Sequence, residues 1–240
     1  PDYSDPFNIR RGNPDLDPEL TDAFELGLSK SIKSHYIYAA GFFRYTNNPM
    51  QRLISVDTNG VALVERANFG FETSFGFEGV YRAQIGKKLS GTFSLNLFRN
   101  YVEGGTENGD LTATNFSANI RSQAAYRPNK NWEIQGNVFY QAPQQFPQGS
   151  ISEFFWVDLG FRKEFPKAKF SLAVNASDIF NTRRFRFESQ DDTFRGDILR
   201  DPMTLRFTVQ ATWKFGDPGK MKPERRRGGG GGGGYDDMGM

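Results

Sequence analysis

The chain has 240 residues, with 30 Lys and Arg against 28 Asp and Glu, one His and no Cys. Charge this balanced leaves no footprint for nucleic acid. The lack of Cys excludes disulfide frameworks, thiolate zinc and Cys nucleophiles, and a lone His35 excludes a multi-histidine metal site. Phenylalanine makes up a tenth of the chain, 24 residues, yet mean hydropathy is −0.61. The longest apolar run, 36–43, is far below the roughly 20 residues a membrane helix needs.

Residues 1–18, rich in Pro, Asp, Asn and Arg, read as a loop. A weak strand pair, 23–29 and 36–45, flanks a turn at 31–34. The clearest strand is predicted at 69–83, where Phe69, Phe71, Phe75, Phe77 and Tyr81 fall in one phase and Glu72, Glu78 and Arg82 in the other. A period of two with aromatics on one face and charges on the other is a strand signal, and helical spacing would scatter these rings around an axis. After a turn at 84–88, Leu89, Phe93, Leu95, Leu97 and Tyr101 alternate with Ser90, Thr92, Ser94 and Asn96. Residues 115–126 set Phe116, Ile120 and Tyr126 against Asn119, Arg121 and Gln123. Beyond a turn at 128–131, Trp132, Ile134, Val138 and Tyr140 oppose Glu133, Gln135 and Asn137. Phe155, Val157, Leu159 and Phe161 follow in phase, then a turn at 166–169 and a strand from Phe170. The last strand, 204–215, alternates Leu205, Phe207, Val209, Trp213 and Phe215 with Thr204, Arg206, Thr208 and Gln210.

About nine or ten strands result. Most run to twice the ordinary length of about 5–6 residues, near the 9–11 that a tilted strand needs to cross a bilayer. Connections alternate strictly between short turns and long loops, the long ones at 47–66, 103–110, 142–152 and 181–202. Outer-membrane barrels have short periplasmic turns and long extracellular loops, whereas a soluble sandwich has no reason to sort its loops by side. The fold class read from the sequence is therefore all-β, an antiparallel transmembrane β-barrel segment of meander topology. The last strand then runs towards the periplasm and the first, 23–29, starts outside. The chain begins at Pro1 without initiator Met or signal peptide, so a fragment forming an incomplete barrel is expected. Its divisions would be an extracellular loop over 1–18, barrel over 19–216 and a flexible Gly-rich periplasmic tail over 217–240.

Three short elements carry a family resemblance. Asn13-Pro14-Asp15-Leu16-Asp17-Pro18-Glu19 resembles the NP-x-L-x-PE segment of TonB-dependent outer-membrane receptors. Asp178-Ile179-Phe180-Asn181 resembles that family's N-L-F-D-like element at the end of the penultimate strand. Trp213-Lys214-Phe215-Gly216 resembles the aromatic-x-Phe ending read by the barrel-assembly machinery, although Gln210 stands where an upstream Gly is usual. The resemblance implies the C-terminal part of a 22-stranded barrel. It further implies import of a scarce extracellular ligand, with energy from the TonB complex acting through a plug domain that these residues do not include. Other readings are a passive channel, an adhesion barrel or a soluble ligand-binding barrel.

No G-x-S-x-G, P-loop or H-E-x-x-H occurs, so no enzyme and no cofactor are expected. A Ser–His–Asp site would have to use His35, beside a predicted periplasmic turn, where an interfacial polar role suffices. Glu72, Glu78, Arg82, Arg121, Glu133 and Arg206 share the polar phase and are the candidates to face the lumen, lining a path or contacting a plug and neighbouring strands. Trp213 and Phe215 are the candidate assembly signal. Asp191-Asp192 and residues 107–110 read as solvated turns rather than Ca²⁺ sites. The tail holds Arg225-Arg226-Arg227 and seven glycines, Gly228 to Gly234, with five positive charges against four negative. That balance gives no nucleic-acid partner.

Overall fold

A computed structural model describes residues 8–56, 60–106, 109–190 and 195–215. Nine strands form one antiparallel sheet: β1 (Leu20–Ile32), β2 (His35–Asn47), β3 (Phe71–Ile85), β4 (Leu89–Glu103), β5 (Ala113–Asn129), β6 (Trp132–Gln141), β7 (Phe154–Phe165), β8 (Phe170–Ser177) and β9 (Arg206–Trp213). Each strand pairs with its sequence neighbour, so the topology is the expected meander, and β1 and β9 stand at its two edges as an open sheet. The expected tail, 217–240, and the acidic pair Asp191-Asp192 lie outside the described residues.

The hairpin turns follow from local chemistry. Lys33 and Gly86 take positive φ in the first two. Pro166 fixes the first residue of a 3-10 turn, Pro166–Ala168, which Lys169 closes in a left-handed conformation. Register then sorts the connections by side. Asn47 pairs with Phe71 and Phe71 with Glu103, Val102 with Ala113, Gln141 with Phe154, and Ser177 with Arg206. All four long connections therefore leave one end of the sheet, and the four short turns leave the other.

The long connections are themselves β-structure. A three-stranded sheet joins residues Asn8–Arg10, parallel, to Ala62–Asn68, which pairs antiparallel with Met50–Val56. A four-stranded sheet runs in order Gln144–Phe146, Gly149–Ile151, Phe185–Gln190 and Arg195–Arg200. Where the two approach, the Gln148 side chain imitates a strand: its Oε1 accepts from the Ile54 backbone N–H at 2.8 Å and its Nε2 donates to the Ile54 carbonyl at 2.9 Å.

One expectation is corrected. Phe69 does not extend the outward aromatic row of the third strand, which starts at Phe71. Phe69 is 4% exposed and packs with Val102 and Leu111, against Leu53 and Ala67. The chain bends at this point because the Phe69 N–H bonds to the Pro49 carbonyl and the Gly70 N–H to the Glu103 carbonyl. Gly104 gives the ring its space, since a Cβ there would collide with it.

Candidate functional site

Residues directly opposite in an antiparallel pair share a face, so register carries each phase across the whole sheet. One face is mainly apolar: Phe24, Phe43 and Phe75 are successive partners, and Tyr81 with Phe93, Ile134 with Phe161, and Val174 with Val209 continue it, with Asp22, Lys30, Arg99 and Lys163 among its charged members. Phe75, Phe77 and Phe207 are exposed there. His35 belongs to this face, stacked on Tyr81 with Nδ1 2.8 Å from its hydroxyl.

The other face is polar and holds all six charged candidates, spread over its height rather than gathered. Glu72, near the end with the long connections, accepts from Gln51 Nε2 at 3.2 Å. Glu78 and Arg121 line a cleft of about 370 Å³ with Asn96, Asn119, Phe139 and Gln141. Asn96 and Asn119 are cross-strand partners, and each buries an Oδ1 without a hydrogen bond among the described residues. Arg82 lies over the Tyr36 ring at 5.7 Å and lines a larger cleft of about 570 Å³ towards the short turns. Glu133 binds Arg127 Nε at 2.5 Å beside a short turn. Arg206 opens β9 opposite Ser177.

Sequence reasoning picked Arg121 but not the aromatic group beside it. Phe139 and Trp156 stack at 4.0 Å between ring centroids, with Phe154 edge-on to both. Arg121 Cζ stands 5.1 Å over Phe139 and Arg183 Cζ 4.3 Å over Trp156, so a cation closes each end of the stack. Contacts of this kind are worth about 0.5–1 kcal/mol in exposed settings. Arg183 also approaches Asp158, Nη2 to Oδ1, at 3.9 Å. The signal was present in the sequence: Phe139 and Trp156 are aromatics in the polar phase, where a lipid-facing role cannot explain them.

Asp178 anchors this corner. It is wholly buried at a positive φ of 49°. Its Oδ1 accepts from the Thr182 backbone N–H at 3.0 Å and its Oδ2 from that of Arg183 at 3.0 Å, while the Thr204 hydroxyl donates to Oδ2. Asn181 Oδ1 accepts from the Thr204 N–H at 3.1 Å, and the Asp178 N–H reaches Asp158 at 2.8 Å. The motif ties β8, the start of the long connection and the approach to β9 into one knot. The upstream motif is tied down too. Asn13 accepts from the Asp15 N–H and donates to the Arg66 carbonyl; Asn68 exchanges two bonds with the Asp17 backbone; Glu19 accepts from the Met50 N–H.

A sheet with one face of lipid-compatible rings, one polar face and every long connection on one side is the wall of an outer-membrane β-barrel. The chain belongs to the outer membrane protein beta-barrel family, whose model matches residues 1–213. No curated protein matches it. Several solved structures resemble it in fold, among them three proteins. The siderophore receptor PirA from Pseudomonas aeruginosa is 13% identical, with TM-score 0.53, over 85% of this chain and 32% of its own. The FrpB iron transporter from Neisseria meningitidis is 15% identical, with TM-score 0.53, over 87% and 33%. The ferric enterobactin receptor PfeA from Pseudomonas aeruginosa is 18% identical, with TM-score 0.50, over 73% and 27%. The chain thus spans about a third of the length of these proteins. Family and fold agree on part of the wall of an outer-membrane β-barrel.

Proposed function

We propose that the chain is the C-terminal barrel part of a TonB-dependent receptor that imports a scarce ligand across the outer membrane, and that it carries no enzymatic activity. The observation that carries this reading is the pairing of a polar wall with long connections that are folded and mutually bonded at one end. A passive pore needs no such structured apron, whereas a receptor needs a shaped surface for capture. In this reading residues 1–18 lie outside the cell, 19–216 form barrel and loops, and 217–240 lie in the periplasm. Glu72, Glu78, Arg82, Arg121, Glu133 and Arg206 face the lumen and contact the plug or the passing ligand. Trp213 and Phe215 are read by the barrel-assembly machinery. The names of the three structural relatives make iron chelates the first ligand class to test.

The experiment is uptake of radioactive iron, presented as a panel of ferric chelates, in cells with and without the gene. Expected is uptake that needs the gene, needs TonB and stops when the proton-motive force is collapsed. Gene-dependent uptake at an unchanged rate in de-energised cells would make the protein a passive channel instead.

A further inference from the structure

The two loop sheets sort their charges by face. In the three-stranded sheet, Arg10 pairs with Val64, Val64 with Ile54, and Arg66 with Arg52, which puts three arginines on one face with two aliphatic residues. The opposite face carries Glu65, bonded to Arg11 at 2.6 Å, and Leu53 and Ala67, which rest on the Phe69 cluster. In the four-stranded sheet, Ile151, Phe187 and Ile198 are successive partners, with Phe185 opposite Arg200 on the same face. The acids Glu188 and Asp197 are on the other face, where both bind Arg186, at 3.1 and 2.9 Å.

Between the arginine face and the aromatic face lies a cleft of about 420 Å³, lined by Arg10, Arg52, Arg200, Phe146, Phe187 and Ile198 among others. No carboxylate lines it among the described residues, and none of these three arginines makes an ion pair there. Arg52 and Arg66 sit directly opposite each other on paired strands, an arrangement of like charges that costs stability. Gln148 borders the same cleft and bonds both backbone groups of Ile54, fixing the spacing of the two sheets in advance of any ligand.

We propose that this cleft binds a soluble organic anion with an apolar ring. The three guanidinium groups hold its acidic groups, and Phe146, Phe187 and Ile198 cover its ring. Guanidinium forks match carboxylate, phosphate and sulfonate oxygens two at a time. The volume lies within the range of small-molecule sites, which are mostly apolar with a few placed polar groups. The proposal rests on the reading above only in setting this apron on the ligand-accessible side.

The test uses the whole receptor chain, purified in an uncharged detergent, with pyranine as the probe: a flat, fluorescent ring system bearing three sulfonates. Expected is saturable binding by fluorescence anisotropy. The combined variant Arg10→Gln, Arg52→Gln, Arg200→Gln should weaken it at least tenfold and Phe187→Ala about threefold, while Arg186→Gln on the far face leaves it unchanged. If the combined variant does not reach the membrane, the three single variants decide the matter, each expected to weaken binding at least threefold. Absence of saturable binding, or binding that Arg186→Gln reduces as much as the cleft variants do, overturns the site. The assay reads no transport, so a passive pore with this cleft still binds pyranine, and an energised importer without it does not.

Discussion

At Asp178 a carboxylate leaves water at a corner where strand becomes loop. Burial alone raises its pKa, but bonds from the Thr204 hydroxyl, the Thr182 and Arg183 backbone N–H groups and the Thr182 hydroxyl outweigh that and hold it below its ordinary value. A folded pKa below the unfolded one means that the unfolded chain takes up the proton first. The stabilisation is therefore whole above the ordinary aspartate value of about 3.9 and is lost as pH falls through the folded value. Asp178→Asn removes this dependence and leaves donors without their charged acceptor, at a cost of about 1–3 kcal/mol at pH 7. Urea midpoints measured from pH 7 down to pH 2 should fall more for the parent than for the variant; parallel curves would show that Asp178 does not carry the effect. The motif around Asp178 was legible in the sequence as a resemblance. Its chemistry was not, because three of the four donors come from the backbone or from Thr204, 26 residues away.

At the scale of the strand, alternation decides which face meets lipid. Phe75 and Phe77 stand on the apolar face of β3 and Glu78 on the polar one. Spin labels at Phe75 and Phe77 should collide with dissolved oxygen in bilayers, and one at Glu78 with a water-soluble relaxant; reversed accessibilities would invert the sheet. The nine long strands were readable because a period of two persists over eight or more residues. The strands inside the long connections were not: Met50–Val56 and Arg195–Arg200 are short, and their faces are set by a neighbouring sheet rather than by lipid. Phe69 was misassigned for a related reason, since periodicity continues through a residue at which the backbone bends. Gln148 gave no sequence signal at all. Gln148→Ala should leave the Ile54 N–H and carbonyl unpaired and speed proteolytic cutting within 50–68, with β1–β9 still protected. Unchanged cutting would mean that the two loop sheets hold together without it.

For the whole molecule, the two edges of the sheet set the terms. β1 and β9 each pair on one side, and an unpaired backbone group in lipid costs several kcal/mol. Residues 1–240 refolded alone in detergent should therefore fail to give a monodisperse monomer with heat-modifiable gel mobility. A monomer with β1 paired to β9 would instead establish a small complete barrel. Trp213 and Phe215 stack at 6.2 Å on the exposed flank of the final strand, available to a partner in assembly. Phe215→Ala in the intact protein should lower the amount inserted, and deletion of 217–240 should leave it nearly the same. Equal insertion of Phe215→Ala and parent would remove Phe215 from that role.

The bonded apron also bears on how this surface changes over generations. A free strap can accept substitutions one at a time. Here Asn13 holds Arg66, Asn68 holds Asp17 and Asn48, Glu19 holds Met50, and Gln148 holds Ile54. Replacing any of the four side chains Asn13, Asn68, Glu19 and Gln148 strands a backbone group elsewhere in the apron, and because the partner is backbone no second substitution restores the bond. Variation on this surface should therefore spare these four side chains and fall on positions such as Gly12, whose surroundings are open and whose backbone carries no left-handed strain.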